Sequence, residues 1–375
     1  MLSTLPPATM LTIPSAPLAL ALTLAASTWS SRLCAQEPTD SGAARRRIQV
    51  LPALGSAPET GLQYGLTALA VFERPRADRA RPAVAMAYAI RTAKSQTRIG
   101  LEGERWTRGN STRLAGSFVW QQYPLPYYGI GDTASKTAKE IFSPRGIEMN
   151  ASIQQRLVRS LYAQSSLRIV DQTITPDSAG RLRTSALTGV RGGRIVELSL
   201  GALDDTRDNL FAPAAGRLIQ LSYARSADAL GSDFSYGRLR LDARAYRSLP
   251  GNGVIAAQLL AVSVDGDAPF DQLALVGGGD IMRGYARGRY RDRVFSGAQV
   301  EYRSPSWRRV GGVLFGGAGL VAERFAALSD ARALPTYGVG LRVQIDTAQR
   351  TAVRADYGRG RDGNSGLYIG FNQAF

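Results

Sequence analysis

Tyr337-Gly338-Val339-Gly340-Leu341-Arg342-Val343-Gln344-Ile345-Asp346 is apolar at every second position. Tyr337, Val339, Leu341, Val343 and Ile345 share one face of an extended chain. Gly338, Gly340, Arg342, Gln344 and Asp346 share the other. A period of two is what a strand with chemically different faces requires, because successive side chains point to opposite sides. The same holds at 238–247, where Leu239, Leu241, Ala243 and Ala245 oppose Arg238, Arg240, Asp242 and Arg244. At 351–358, Val353, Ala355 and Tyr357 oppose Arg354 and Asp356.

Working outward from these stretches, about 16 such runs follow one another, the first at 46–55 and the last at 366–375. Gly, Pro, Asp or Asn separates them, and no amphipathic helical run of comparable length competes. The even number and the spacing match a bacterial outer-membrane barrel of tilted strands about 10 residues long. A soluble sandwich also alternates, so periodicity alone leaves both open. The arginines and glycines on the polar face favour the barrel. A guanidinium facing water in a lumen finds carboxylates there, whereas facing the lipid midplane it costs about 2–4 kcal/mol. Only closure satisfies the backbone of an all-strand sheet in lipid. The expected fold is therefore all-β, a closed transmembrane antiparallel β-barrel of about 16 strands over 46–375.

The longer connections fall at 124–144, 174–193 and 266–293. By barrel convention these face outside, and short turns such as Ala57–Thr60, Thr107–Asn110 and Thr347–Gln349 face the periplasm. At the N-terminus, Leu18–Ala26 is a short apolar run, too short to cross a membrane as a helix. It fits a secretory signal over 1–35, with Cys34-Ala35-Gln36 as the cleavage region. Residues 36–45 are then a short linker, too few for a folded domain before the barrel.

Composition excludes much chemistry. The chain of 375 residues has no histidine and one cysteine. Ser-His-Asp or Cys-His catalysis, His-ligated metal, zinc ribbons and iron–sulfur clusters are therefore outside its means. No catalytic, cofactor-binding or metal-binding residue is expected, and no enzyme. The net charge of +16 comes almost entirely from arginine, since Lys94, Lys136 and Lys139 are the lysines. The arginines alternate along strands or scatter through loops, with no helix or aromatic stacking platform, so nucleic acid is not the expected partner. A cationic lumen or a rim meeting lipopolysaccharide-like phosphates explains them. Trp106, Trp120, Tyr123, Tyr127, Tyr128, Trp307 and Tyr337 are candidates either for interfacial girdles or for core and loop packing.

Four stretches carry a resemblance. They are Gly277-Gly278-Gly279-Asp280-Ile281-Met282-Arg283-Gly284-Tyr285; Asp205-Thr206-Arg207-Asp208-Asn209 with Pro213 and Gly216; Glu301-Tyr302-Arg303-Ser304-Pro305; and Tyr368-Ile369-Gly370-Phe371-Asn372-Gln373-Ala374-Phe375. Ser56–Gly61 and Tyr127–Asp132 are weaker echoes. In this order they resemble the BamA/TamA superfamily, outer-membrane barrels that insert or translocate polypeptides.

The resemblance implies an inward-folding Gly/Arg-rich loop locked through Arg283, Gly284 and Tyr285, with Glu301 as the arginine's partner. The alternative is a solvated surface loop. The family's following Phe-x-Asp-x-Gly reads Phe315-Gly316-Gly317-Ala318-Gly319 here. With Gly317 in the acid's place, the lock is expected to be weaker or to use another carboxylate. Asp205, Arg207 and Asp208 are a turn motif by resemblance, and equally fit an ordinary Asx-type turn. Tyr368, Phe371 and Phe375 would be the C-terminal targeting strand. The implied function is insertion or translocation of proteins at the outer membrane by a member without periplasmic POTRA domains. First and last strands would form a weak lateral seam, with client outer-membrane proteins and a separate periplasmic protein as partners. The alternative is a passive cationic pore or surface antigen.

Overall fold

The computed structural model describes residues 46–72, 81–177, 180–346 and 350–375. The expected signal (1–35) and linker (36–45), and the turn 347–349, lie outside these. The described strands are β1 (Arg46–Ala57), β2 (Gly61–Phe72), β3 (Ala83–Thr92), β4 (Thr97–Trp106), β5 (Thr112–Gln122), β6 (Leu125–Tyr127), β7 (Glu140–Val158), β8 (Leu161–Pro176), β9 (Gly192–Asp205) and β10 (Gly216–Ser226). They continue as β11 (Tyr236–Ser248), β12 (Val254–Gly266), β13 (Ala274–Val276), β14 (Tyr290–Asp292), β15 (Val294–Arg303), β16 (Val310–Ala322), β17 (Leu334–Asp346), β18 (Thr351–Gly360) and β19 (Ser365–Phe371). Setting aside the three-residue β6, β13 and β14, sixteen antiparallel strands pair with their neighbours in sequence and β19 returns to β1. The barrel closes, as the alternation and the arginines and glycines of its polar face together lead one to expect.

The faces sort as the period of two requires. On β17, Tyr337, Val339, Leu341 and Val343 point outward and are exposed, while Arg342 is buried inside. Leu62, Leu66, Ile99, Leu101, Leu198, Leu200, Ile219 and Leu221 extend the outer apolar belt. Glu148, Glu197, Asp242, Gln258, Gln299 and Arg354 fill the interior. The aromatic candidates divide. Trp307 and Tyr337 are exposed on the outside, and Trp120 is partly covered there. Trp106 is buried in the lumen edge-to-face with Tyr162, and Tyr127 packs on Phe270 under the loops.

The up-and-down path corrects two expectations. An odd-numbered turn of the meander cannot share an end with an even-numbered one. The β1–β2 turn (58–60) therefore sits at the end that carries the long connections 123–139, 177–191 and 267–293, opposite the turn at 107–111. Glu59 accordingly accepts the Arg287 N–H of the long loop at 3.4 Å. Second, the last strand ends at Phe371 rather than running to Phe375. Asn372 adopts φ 61°, a left-handed conformation that Asn tolerates better than most residues. The remaining residues turn into the barrel, where Ala374 and Phe375 are buried with Tyr246 and Ala256.

Closure is uneven. β1 pairs with β2 at twelve consecutive positions from Arg46↔Phe72 to Ala57↔Gly61. With β19 it shares one register pair, Ser56↔Ile369. Ile48, Gln49 and Val50 are all exposed, so this part of β1 is open on both faces.

Candidate functional site

The connection 267–293 folds inward. Gly277, Gly278 and Gly284 have φ of 101°, 131° and 111°, which a residue with a Cβ adopts only under strain. Gly284 also lies against the wall, where an added Cβ would stand 2.6 Å from the Arg359 carbonyl carbon. Gly358 on β18 gives the reciprocal clearance, since its Cβ would meet the Arg283 carbonyl carbon at 2.6 Å. The loop's backbone rests directly on that of β18.

Arg283 is fully buried there. Its Nη2 donates to Glu301 Oε2 at 2.6 Å and its Nη1 to Asp356 Oδ2 at 2.8 Å. Its guanidinium lies 3.6 Å from the centroid of the Phe315 ring, so the charge meets two carboxylates and a π face. The carboxylate replacing the one missing at Gly317 is Asp356, one hairpin further along. Each acid is itself shared. Arg303 Nε donates to Glu301 Oε1 at 2.8 Å. Arg342 donates to both oxygens of Asp356. Arg354 Nη1 donates to the Gly279 carbonyl at 3.0 Å, and Gln299 holds the Asp280 carbonyl at 2.6 Å.

The seam strand reaches the same loop. Tyr368 Oη on β19 donates to the Tyr285 carbonyl at 2.7 Å and accepts the Gly284 N–H at 3.0 Å. Tyr285 Oη donates to the Pro335 carbonyl at 2.7 Å and accepts the Arg361 N–H at 2.7 Å. Thr336 donates to the Arg283 carbonyl. Met282 sits at φ 57°, a left-handed conformation in which a β-branched residue would be strained. Its side chain packs in the cluster of Phe295, Val321 and Leu334.

Above the lock, the loop forms a dome. Arg289 lies between Tyr128 and Tyr290 at 4.7 and 4.2 Å from their centroids. Arg291 is ringed by Tyr127, Phe142 and Phe270 and donates to the carbonyls of Phe270 and Pro126. Burial lowers its pKa to about 10, so it stays charged at neutral pH.

The 206–215 turn stands at the opposite mouth. Asp205 and Arg207 form a buried two-point ion pair at 2.9 and 3.0 Å. Asp208 accepts from the Ala214 and Ala215 amides and from Arg350. Burial alone would raise the Asp208 carboxyl, but these donors outweigh it and hold it below the usual range. The motif is both an Asx-type turn and a charge cluster. Tyr368 is thus placed on the lock, Phe371 is part-buried at the end of β19, and Phe375 is inside the lumen.

Sequence reasoning did not single out Asp356, Arg303, Arg342 or Tyr368 as lock partners. For Asp356 and Arg342, the polar face assigned by alternation was the available signal. Among the described residues no cluster of acidic, histidine and cysteine side chains suits a metal ion.

The family model of the Omp85 superfamily domain matches residues 90–375. Among solved structures, the chain is similar to BamA from Haemophilus ducreyi lacking POTRA domains 1–3, at 14% identity and a TM-score of 0.63, covering 88% of this chain and 70% of that one. It is also similar to CdiB from Acinetobacter baumannii, at 12% identity and a TM-score of 0.56, covering 88% of this chain and 65% of that one. No curated protein matches the sequence.

Proposed function

The chain belongs to the Omp85 superfamily, and from that premise we propose that it is an exported outer-membrane barrel which helps insert or translocate other proteins. The reading rests on the seam. One register pair joins β1 to β19, against twelve between β1 and β2. A strand edge without a partner presents a row of unpaired backbone donors and acceptors, a template on which an incoming strand can add. Separating β1 from β19 breaks little hydrogen bonding, so the barrel opens sideways at small cost. With the seam closed, the lock holds the loop on the wall of β18.

Orientation follows from the connections: long loops outside, and the short-turn end, including the 206–215 turn, in the periplasm. Exposed arginines stand at both ends of the outer wall, Arg91, Arg145, Arg225 and Arg359 above, Arg105, Arg217 and Arg247 below. They suit the phosphates of the two leaflets, including lipopolysaccharide-like headgroups. Clients are unfolded outer-membrane proteins, delivered by a separate periplasmic partner. A dome over one mouth and a folded turn across the other argue against a passive pore.

The test is a seam closed covalently. Ser56→Cys and Ile369→Cys occupy directly opposed positions, within reach of a cross-strand bond. In liposomes, the oxidised variant should lose client insertion and the reduced variant should recover it. Equal insertion in both states would contradict the proposal.

A further inference from the structure

The residues beyond β19 occupy a built site. The Phe375 ring lies 6.4 Å from that of Tyr246, and the Arg303 guanidinium is 5.5 Å from the Phe375 centroid and 5.7 Å from that of Tyr246. Arg303 Nη2 donates to the Phe375 carbonyl oxygen at 2.7 Å. Two residues earlier, Gln373 Oε1 accepts from Arg342 Nε at 2.8 Å. The Gln373 N–H reaches the Phe211 carbonyl of the 206–215 turn at 3.3 Å. Arg303 and Arg342 are buried.

These two arginines also hold the two carboxylates of the lock. Arg303 binds Glu301, and Arg342 binds Asp356. Glu301 and Asp356 bind the same guanidinium, that of Arg283. Phe375 and Gln373 thus reach Arg283 by two arms, each one arginine and one carboxylate long, and the arms touch where Arg342 stands 3.9 Å from Glu301. The tail also continues directly from β19, the strand of the weak seam.

We propose that the lumen wall at the short-turn end is a peptide-binding site, filled in cis by Gln373–Phe375, and that its occupation supports the loop lock. The ligand class is an extended segment with a side-chain amide two residues before an aromatic ring. When the tail leaves, Arg303 and Arg342 each lose a partner inside the barrel. A buried donor without a partner is costly, so they re-aim and Glu301 and Asp356 lose their fixed orientation toward Arg283. When β19 peels from β1 the tail is drawn out with it, so an open seam and a loosened loop go together. The site goes beyond the insertion reading, and its test needs no client.

The experiment is hydrogen exchange on the full chain refolded in detergent, read at the Gly284 and Tyr285 amides. Replacing Gln373→Ala together with Phe375→Ala should speed exchange there about tenfold, within the usual range of coupling between sites. The loop 123–139 should stay protected. Phe375→Tyr should keep protection. A peptide of residues 367–375 should restore protection to the double variant, and the same peptide with its last Phe changed to Ala should not. Faster exchange confined to 371–375, or equal restoration by both peptides, would overturn the proposal. Should the double variant fail to refold, linkage gives the reverse test. Arg283→Ala should then speed exchange at the Gln373 and Phe375 amides, and unchanged exchange there would overturn it equally.

Discussion

A guanidinium with no exposed surface must have its charge met where it lies, and Arg283 has Glu301, Asp356 and the Phe315 ring. Such a pair is weak evidence of net stability, because desolvation offsets much of the attraction. Removing one partner is different, since it leaves buried charge behind. Arg283→Ala takes one cation from each of two buried carboxylates, leaving Glu301 with Arg303 and Asp356 with Arg342, and should cost up to about 3–5 kcal/mol locally. The heat-modified electrophoretic transition should fall, and the 279–286 backbone should lose protection; an unchanged transition with full protection would count against the lock. Glu59 offers a pH test outside the wall. Burial, the largest influence, raises its carboxyl above the usual value against the pull of its own and the Arg287 amides. The folded state therefore binds the proton more tightly than the unfolded chain. The β1–β2 turn should gain stability as pH falls from neutrality through this raised pKa, and the gain should be complete below the unfolded value of about 4.3. Glu59→Gln should abolish the dependence, as exchange at residues 57–61 against pH will show; an unaltered pH profile would refute this.

Elements show how much was readable in sequence. Alternation placed Arg342, Arg354 and Asp356 on one polar face, and Glu301 opposite Val300 and Tyr302, because the period of two is a local property. It gave no pairing for Arg283 with Asp356, since the two meet across 73 residues of chain through the closure of the barrel. Local alternation also ran through Phe375, and the single left-handed residue Asn372 ends the strand instead. Length alone puts the short Ala57–Thr60 turn with the periplasmic turns, whereas the parity of the meander puts it at the opposite end. Glycine contacts give a prediction at this scale. Gly358→Ala drives a Cβ into the Arg283 backbone and should cost about 1–3 kcal/mol by overpacking. Gly103→Ala, with its nearest such contact at 3.5 Å, should be tolerated. Comparison of their thermal transitions checks this, and equal transitions would speak against the close approach.

For the molecule as a whole, closure and opening are properties of one wall. Among the described residues, fifteen strand-to-strand joints are extended ladders, two of them with a register shift, and the sixteenth is a single pair. The loop, its arginines and the returning tail lie inside the wall, while the lateral edge is joined by a single register pair. The most direct measurement reconstitutes the protein in liposomes and records client insertion and ionic conductance on the same vesicles. The account predicts that the barrel speeds insertion of an unfolded outer-membrane protein while resting conductance stays close to that of protein-free vesicles. A steady anion-selective current with no gain in insertion would contradict it.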